Sequence, residues 1–428
     1  MMRKILILPL MAAFLPGLAM AGQSGGQAPH AENIQSPSLS FMPPHDMVDR
    51  LMDEDPGVQR ARALTKSAEA EARAREAGPH EFILHGEYVS RASNLEGRMD
   101  EWTAGISRAI RLPGKAEADG KIGAFGVAVA ENSLGDSRHQ AATMLKNLWL
   151  AWVTAEADAE LAAAQVADYE KELQAMERSR QLGQAAMLQV EQVQASLATA
   201  RAQAAKAAQV RLDARMTLAR NFPALALPAH PPVIPDPAPP PGLWEEWRAA
   251  VLNDNHEVKM AQSEADRREW LARRASLDRF ADPTMDLRTF QDRAGHETGF
   301  GIGFTMPIGG SLRSAVADQA SAEASAAAVA ARKVLRDVEV AADRDVIQAQ
   351  QGLTAWQQSQ AAANASAQLM VRMRRAYALG DLGLTELLLA ERQDFETRQT
   401  ELQARSTAHG AILQLMIDAH RIWSLGDD

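Results

Sequence analysis

The chain has 428 residues and a formal net charge of −10, an acidic balance that argues against nucleic acid as a partner. It contains no cysteine, so a secreted protein of this size must rely on packing and association, and no lipid can be attached through an N-terminal Cys. After its first twenty or so residues no apolar run reaches about eighteen, which argues against a transmembrane helix but not against transmembrane strands of about ten alternating residues.

Residues 1–21 read as a signal peptide: Arg3 and Lys4, an apolar run from Ile5 to Met20, and Ala19-Met20-Ala21 before Gly22. Pro9, Pro16 and Gly17 make that run a poor membrane anchor. Residues 22–44 are polar with Gly, Ser and Pro, an extended N-terminal segment. Residues 45–78 favour helix and end at Gly78-Pro79. A β-hairpin is expected over 81–112. Phe82, Leu84 and Tyr88 oppose His85 and Glu87; Trp102, Ala104, Ile106, Ile110 and Leu112 oppose Thr103, Gly105, Ser107 and Arg111. Arg108 falls on the apolar side. Ser90 to Arg98 reads as the hairpin loop. Long helices over 115–221 follow, interrupted at Gly183-Gln184-Ala185. Their Ala, Gln, Glu and Arg content suits close helix–helix contact or wet faces rather than a thick core.

Residues 222–242 hold nine of the chain's twenty prolines, a stiff extended linker. The programme then restarts over 243–424, with a hairpin over 283–308, long helices over 311–423 and a short tail, 425–428. DEDPGV at 53–58 matches NDNHEV at 253–258; residues 102–114 match 298–310; Gly183 matches Gly380. Three anchors in order at nearly one offset mark an internal duplication of helix, β-hairpin, long helix, turn and helix.

The second strand of the second hairpin alternates most strictly. Phe300, Ile302, Phe304, Met306 and Ile308 lie on one side; Gly299, Gly301, Gly303 and Thr305 lie on the other. Gly299-x-Gly301-x-Gly303 lacks the spacing and context of a nucleotide loop. Each copy implies helices with strands at one end and a helix–helix turn at the other. Four strands with an apolar outer face cannot close a barrel, and open edges are not viable in lipid. If that face meets lipid the protein must oligomerise, two chains giving eight strands and three giving twelve. The competing reading is a soluble sandwich with the hairpins packed on helices.

The signal peptide, the duplication, the hairpins ending in Pro113-Gly114 and Gly309-Gly310 before long helices, and Tyr377-x-x-Gly380 followed by Glu386-Leu387-Leu388 resemble the TolC family of outer-membrane efflux channels. The likeness covers residues 45–424. The chain's size and Leu112-Pro113-Gly114-Lys115 look most like its heavy-metal, CzcC-like branch. The resemblance implies a mainly α protein with a transmembrane β-barrel contribution, a TolC-like α/β-barrel. It implies a homotrimer with a twelve-stranded barrel in outer-membrane lipid of a Gram-negative bacterium and a helical tunnel across the periplasm. It also implies docking on a periplasmic adaptor that serves an inner-membrane pump.

By the same resemblance the helix–helix turns close the periplasmic end. Tyr377 matches the family's gate tyrosine and Glu386 one gate acid, while a second acid falls on Leu389 and the first-repeat acid on Gln189. A solvated helix-start residue is an equal reading of Glu386. Arg180, where the second turn has Tyr377, is expected to bridge to Asp381 or Glu386 of a neighbouring helix pair. Pro113, Gly114, Pro307, Gly309 and Gly310 are expected to form the hinge where barrel becomes tunnel, in turns too tight for ordinary side chains. Phe300, Ile302, Phe304 and Met306 should then face lipid, and Gly299, Gly301, Gly303 and Thr305 the lumen. Trp102, Tyr88, Phe290 and Phe300 are placed as an interfacial girdle.

The remaining candidates are bland. His85 and Glu87 share a strand face as hydrated lining, and His45, His230, His256 and His296 show no ligand spacing. Met47, Met52, Met306 and Met416 take packing positions. With no nucleophile–base or paired-carboxylate arrangement, neither an enzyme nor a cofactor or metal site is expected. The alternatives are a periplasmic coiled-coil adaptor that never enters the membrane, and the same channel serving drugs or other small organic molecules.

Overall fold

The computed structural model describes residues 40–95 and 97–423, all within one compact unit, Asn33–Asp428. The expected signal peptide, most of the 22–44 segment and the 425–428 tail lie outside the described residues.

The element order is the same twice. Helices α1 (His45–Glu54) and α2 (Pro56–Ala77) lead into strands β1 (Ile83–Ser93) and β2 (Gly97–Ala109), then helices α3 (Lys115–Gln181) and α4 (Met187–Asn221). Helices α5 (Trp244–Asn253) and α6 (His256–Leu277) lead into β3 (Thr284–Asp292) and β4 (Glu297–Thr305), then α7 (Ser311–Leu379) and α8 (Leu384–Asp418). With 67 and 69 residues, α3 and α7 are each on the order of 100 Å long.

Two expected single helices are split, and the split is built the same way in each copy. Asp55 Oδ1 accepts from Val58 N–H at 3.0 Å, and Asn255 Oδ1 accepts from Val258 N–H at 2.9 Å. Both are N-caps, with Pro56 at the first position of α2, where its missing N–H costs nothing. The matching hexapeptides are therefore a helix restart, made twice.

The strands form one antiparallel sheet in the order β1-β2-β3-β4. β1 and β2 run further than expected, 11 and 13 residues, because Ser90 to Ser93 pairs with Gly97 to Asp100 where a loop was expected. Register sets the faces. Leu84, Ile106, Leu287 and Ile302 form one row across the sheet, with Phe300 and Phe304 on the same side. Arg108 on this side is accommodated by stacking over Phe82 at 4.6 Å and donating to His80 O at 3.1 Å.

The main core sits mid-way along the helices. It joins Val48, Leu51 and Met52 to Leu145, Trp149, Trp152, Leu218, Trp247, Leu413 and Ile417. The proline-rich segment is part of it, with Phe222, Leu225 and Ile234 buried. Arg405 Nη1 donates to Ile234 O at 3.1 Å, His409 Nε2 to Pro235 O at 2.8 Å and Trp247 Nε1 to Pro241 O at 2.9 Å. Toward the turns only narrow seams remain, such as Ala159, Ala162, Ala207 and Phe395, as expected of alanine-rich pairs in close contact.

Candidate functional site

Three places carry chemistry: the sheet, its junction with the helices, and the helix–helix turns. On the sheet's apolar side Phe300, Ile302 and Phe304 are 62–70% exposed and Leu84 is 83% exposed. Met306, just past β4, is also exposed. A continuous row of large apolar groups facing outward is unusual for a soluble surface. The edges of β1 and β4 pair with no other strand among the described residues.

The other face carries the glycines of β4 together with polar groups of its neighbours. Side chains of β3 fold over the glycines of β4: Phe290 over Gly299, Arg288 over Gly301 and Asp286 over Gly303. His85 lies over Gly105 and pairs with Asp286 at 3.2 Å. Thr305 pairs in register with Thr284. The glycines make room for neighbouring polar groups, so that face is lined by Asp286, Arg288 and His85. Phe290 belongs to this face, opposite Phe300, and is not a member of the expected girdle.

At the junction a set of charges is buried that single-segment reading misses. Lys115, 1% exposed, donates to Asp282 Oδ1 and to Phe280 O, both at 2.7 Å, and lies 3.0 Å from Asp278. His80 Nε2 donates to Asp282 Oδ2 at 2.8 Å and Leu112 N–H to Oδ1 at 3.0 Å. Burial opposes the charged form of Asp282, but these hydrogen bonds outweigh it and bring its carboxyl down to about 2. Arg111 and Arg274 clasp Asp119 at 3.0 and 2.9 Å.

The expected hinge residues divide. Gly114 takes a left-handed conformation, φ 83°, and needs glycine. A side chain at Gly309 would strike the carbonyl of Arg279. Gly310 is extended with open space around it, so nothing there demands glycine. Pro307 lines a groove with Phe280, Ile308 and Gly309.

The two turns are copies of one motif. Gly183 and Gly380 both have positive φ, and Gln184 N–H and Asp381 N–H each reach back to the helix, to Ser179 O and Ala376 O. Tyr377 packs against Met176, Val190, Val193 and Leu384, and burial, then Glu172, raises its hydroxyl above the usual range. Glu386 is exposed and lies back over Gly383, in the first turn of α8. Gln189 Oε1 accepts from Ala186 N–H at 2.9 Å, capping α4. Arg180 and Asp381 are exposed and make no ion pair among the described residues. The turn candidates are thus brought to one end, but no direct link joins Arg180 to either acid within a chain.

Two acidic pairs join residues far apart in sequence, with no spacing that would mark them. Glu172 of α3 faces Glu391 of α8, and Asp345 of α7 faces Asp418 of α8. Burial, then the partner's charge, pushes Glu172 up to about 8 and Asp345 up to about 7. Lys146, brought down to about 8 by burial, and His139, 2.9 Å from Asp418, surround the second pair. His256 and His420 stand edge to face at 5.0 Å nearby. No group of three His, Asp or Glu among the described residues is placed to hold a metal ion, and no described helix is long and apolar enough to cross a membrane.

No family model matches the sequence, and no curated protein matches it as a relative. Solved structures do match. The outer membrane protein VceC of Vibrio cholerae superposes with a TM-score of 0.74 at 16% identity, over 87% of this chain and 95% of that one. The CmeC outer membrane channel of Campylobacter jejuni gives 0.75 at 12% identity, over 91% and 88%. The MtrE outer membrane channel of Neisseria gonorrhoeae, in its open state, gives 0.71 at 17% identity, over 90% of each. The fold is therefore TolC-like, mostly helical with a four-stranded antiparallel sheet at one end.

Proposed function

We propose that this chain is the outer-membrane component of a tripartite efflux system, a passive exit duct and not an enzyme. The observation that carries this reading is the sheet. Among the described residues it presents an uncovered apolar face, two unpaired edges and strands of 9 to 13 residues, the length a tilted outer-membrane span requires. Closure by three copies gives twelve strands, and an open edge has no stable place in lipid. Phe300, Ile302, Phe304 and Met306 then face lipid, and Asp286, Arg288 and His85 join Gly299, Gly301, Gly303 and Thr305 in lining the lumen. The long helices continue the duct through the periplasm to turns that form the gate. There Tyr377 seals the apolar cluster, and Glu386, Asp381, Arg180 and Gln189 supply its polar rim.

Such a duct has no energy source, so it docks on a periplasmic adaptor and an inner-membrane pump that select the cargo. The solved channels with this fold are named as outer-membrane proteins, which supports the location. Heavy-metal cations are our proposal for the cargo. The Leu112-Pro113-Gly114-Lys115 turn supports it, as does the carboxylate of Glu386 repeated three times around a narrow axis, which favours cations. Fractionation of cells with ion flux into liposomes tests the duct: recovery with the outer membrane and flux through the purified protein are expected. Recovery in the soluble periplasm refutes it. For the cargo, deletion should lower tolerance to zinc, cobalt, cadmium or copper. A loss of drug tolerance alone would refute the metal assignment.

A further inference from the structure

Helix α8 carries charge along a face that it buries. Asp394 is 8% exposed, and Glu401, nearly two turns on and so on the same face, is 9% exposed. Glu401 Oε1 accepts from Trp356 Nε1 at 2.9 Å and from Arg405 Nε at 3.0 Å. Asp394 is less well served. Arg398 holds its Oδ2 at 2.8 Å, but its Oδ1 is buried and meets no donor among the described residues. On α3, Gln165 Oε1 is buried in the same condition. A buried acceptor without a donor is costly, so two of them lining one space call for a ligand that brings hydrogen or positive charge.

Both residues line a cleft of about 110 Å³ between α3, α7 and α8. Its wall sets three carboxylates, Asp168, Glu391 and Asp394, against two guanidiniums, Arg374 and Arg398, and so is net negative. Arg374 is committed to the other acids, 3.3 Å from Glu391 and 3.5 Å from Asp168. Neither arginine reaches Asp394 Oδ1 or Gln165 Oε1. At about 30 Å³ for each water, the cleft has room for about three or four. No three of its acids are placed to grip an ion together, which excludes a closed carboxylate cage. A Mg²⁺-type ion needs none: it keeps several waters and takes one or two carboxylates.

We propose that this cleft binds one partly hydrated divalent cation of the Mg²⁺ class, with Asp394 Oδ1 and Gln165 Oε1 as its protein ligands. The ion's remaining waters donate to Asp168 and Glu391. Two protein oxygens and about three or four waters make up the near-octahedral set of about six that such an ion demands. Water alone would satisfy the two acceptors but leave the negative wall unbalanced; the cation does both. Asp394 lies eight residues along α8 from Glu386, about 12 Å, so the site is distinct from the exposed acid of the turn. It assigns no cargo and stands whether or not the chain is a duct.

Mn²⁺, which takes the same oxygen ligands, is the probe. The full-length purified protein is stripped with EDTA, dialysed and titrated with Mn²⁺, and binding is read from the loss of the free ion's paramagnetic resonance signal. One Mn²⁺ per chain is expected, displaced by Mg²⁺. Asp394→Asn should abolish it and Gln165→Leu should weaken it about ten-fold or more, whereas Glu386→Gln should keep it. The chain has no cysteine, so a nitroxide on Gln393→Cys, exposed and next to Asp394, locates the ion in an otherwise native cleft. Mn²⁺ should quench that signal. No binding up to about 1 mM refutes the site and leaves the cleft to water. An unquenched nitroxide refutes it too, as does unchanged binding in Asp394→Asn and Gln165→Leu. Loss in Glu386→Gln alone would place the ion at the turns and also refute it. Ion flux into liposomes separates this site from the duct. Binding without flux leaves the site standing and refutes the duct; flux without binding refutes the site alone.

Discussion

Replacing Lys115 with Met keeps most of the side chain's volume and removes only its charge and donors. Lys115 is 1% exposed and Asp282 10%, so solvent screens this pair little. The Asp282 carboxyl sits at about 2 where an unperturbed one sits at 3.8. At about 1.4 kcal/mol per pKa unit, that shift corresponds to about 2.5 kcal/mol. Leu112 N–H and His80 supply part of it, but the variant also strips Asp278 and the Phe280 carbonyl of their Lys115 contacts. Removing one partner of a buried pair generally costs about 3–5 kcal/mol, so a loss of about 2–4 kcal/mol is expected. Urea unfolding followed by the far-ultraviolet helix signal measures it, and a double-mutant cycle with Asp282→Asn isolates the pair. The pH sign is fixed. Asp282 has its value depressed by folding, so its contribution is complete above about 4 and fades as pH falls toward about 2. That fade should be smaller in Lys115→Met. A destabilisation below about 0.5 kcal/mol, with no coupling to Asp282, would refute the junction as an ionic clasp.

Sidedness of the sheet predicts opposite outcomes for adjacent positions. Ile302→Lys should cost about 2–4 kcal/mol per chain and block assembly in the membrane. Gly303→Lys should assemble once Asp286 gives by a few tenths of an ångström to admit the new Cβ, and it should instead reduce cation preference in conductance. In the central core, Trp152→Ala should cost about 3–5 kcal/mol in the same urea assay, since Trp152 is fully buried. Asp55→Ala and Asn255→Ala should each cost about 1 kcal/mol, and the double variant should show the sum. At the proposed gate, Arg180→Ala should raise single-channel conductance; an unchanged value would rule Arg180 out as part of it.

Much of this fold can be read in the sequence because its signals are local. The alternation of Phe300, Ile302, Phe304 and Met306 against glycine can only be a strand, and β4 is one. The proline-free stretches after Gly114 and Gly310 become the two long helices. What escapes is non-local. Lys115 meets Asp282 across 167 residues, and each looks like an ordinary surface charge in its own segment. Glu172 and Glu391 carry no shared spacing at all. Phe290 fails for a different reason. Its aromatic character suggested the girdle, but strand parity decides the face, and Phe290 shares parity with Asp286 and Arg288. The glycines of β4 lie beneath side chains of β3, a packing that the alternation of β4 alone does not reveal. Asp55-Pro56 carries a local signal for the helix restart, an N-cap followed by a first-turn proline.

The central claim is that one chain cannot complete the sheet and that three close it into a barrel. Light scattering with protein-mass resolution, on material extracted from outer membranes in mild detergent, tests this most directly. Three copies per particle are expected, with Ile302→Lys shifted to single chains. A wild-type particle containing one copy would contradict it.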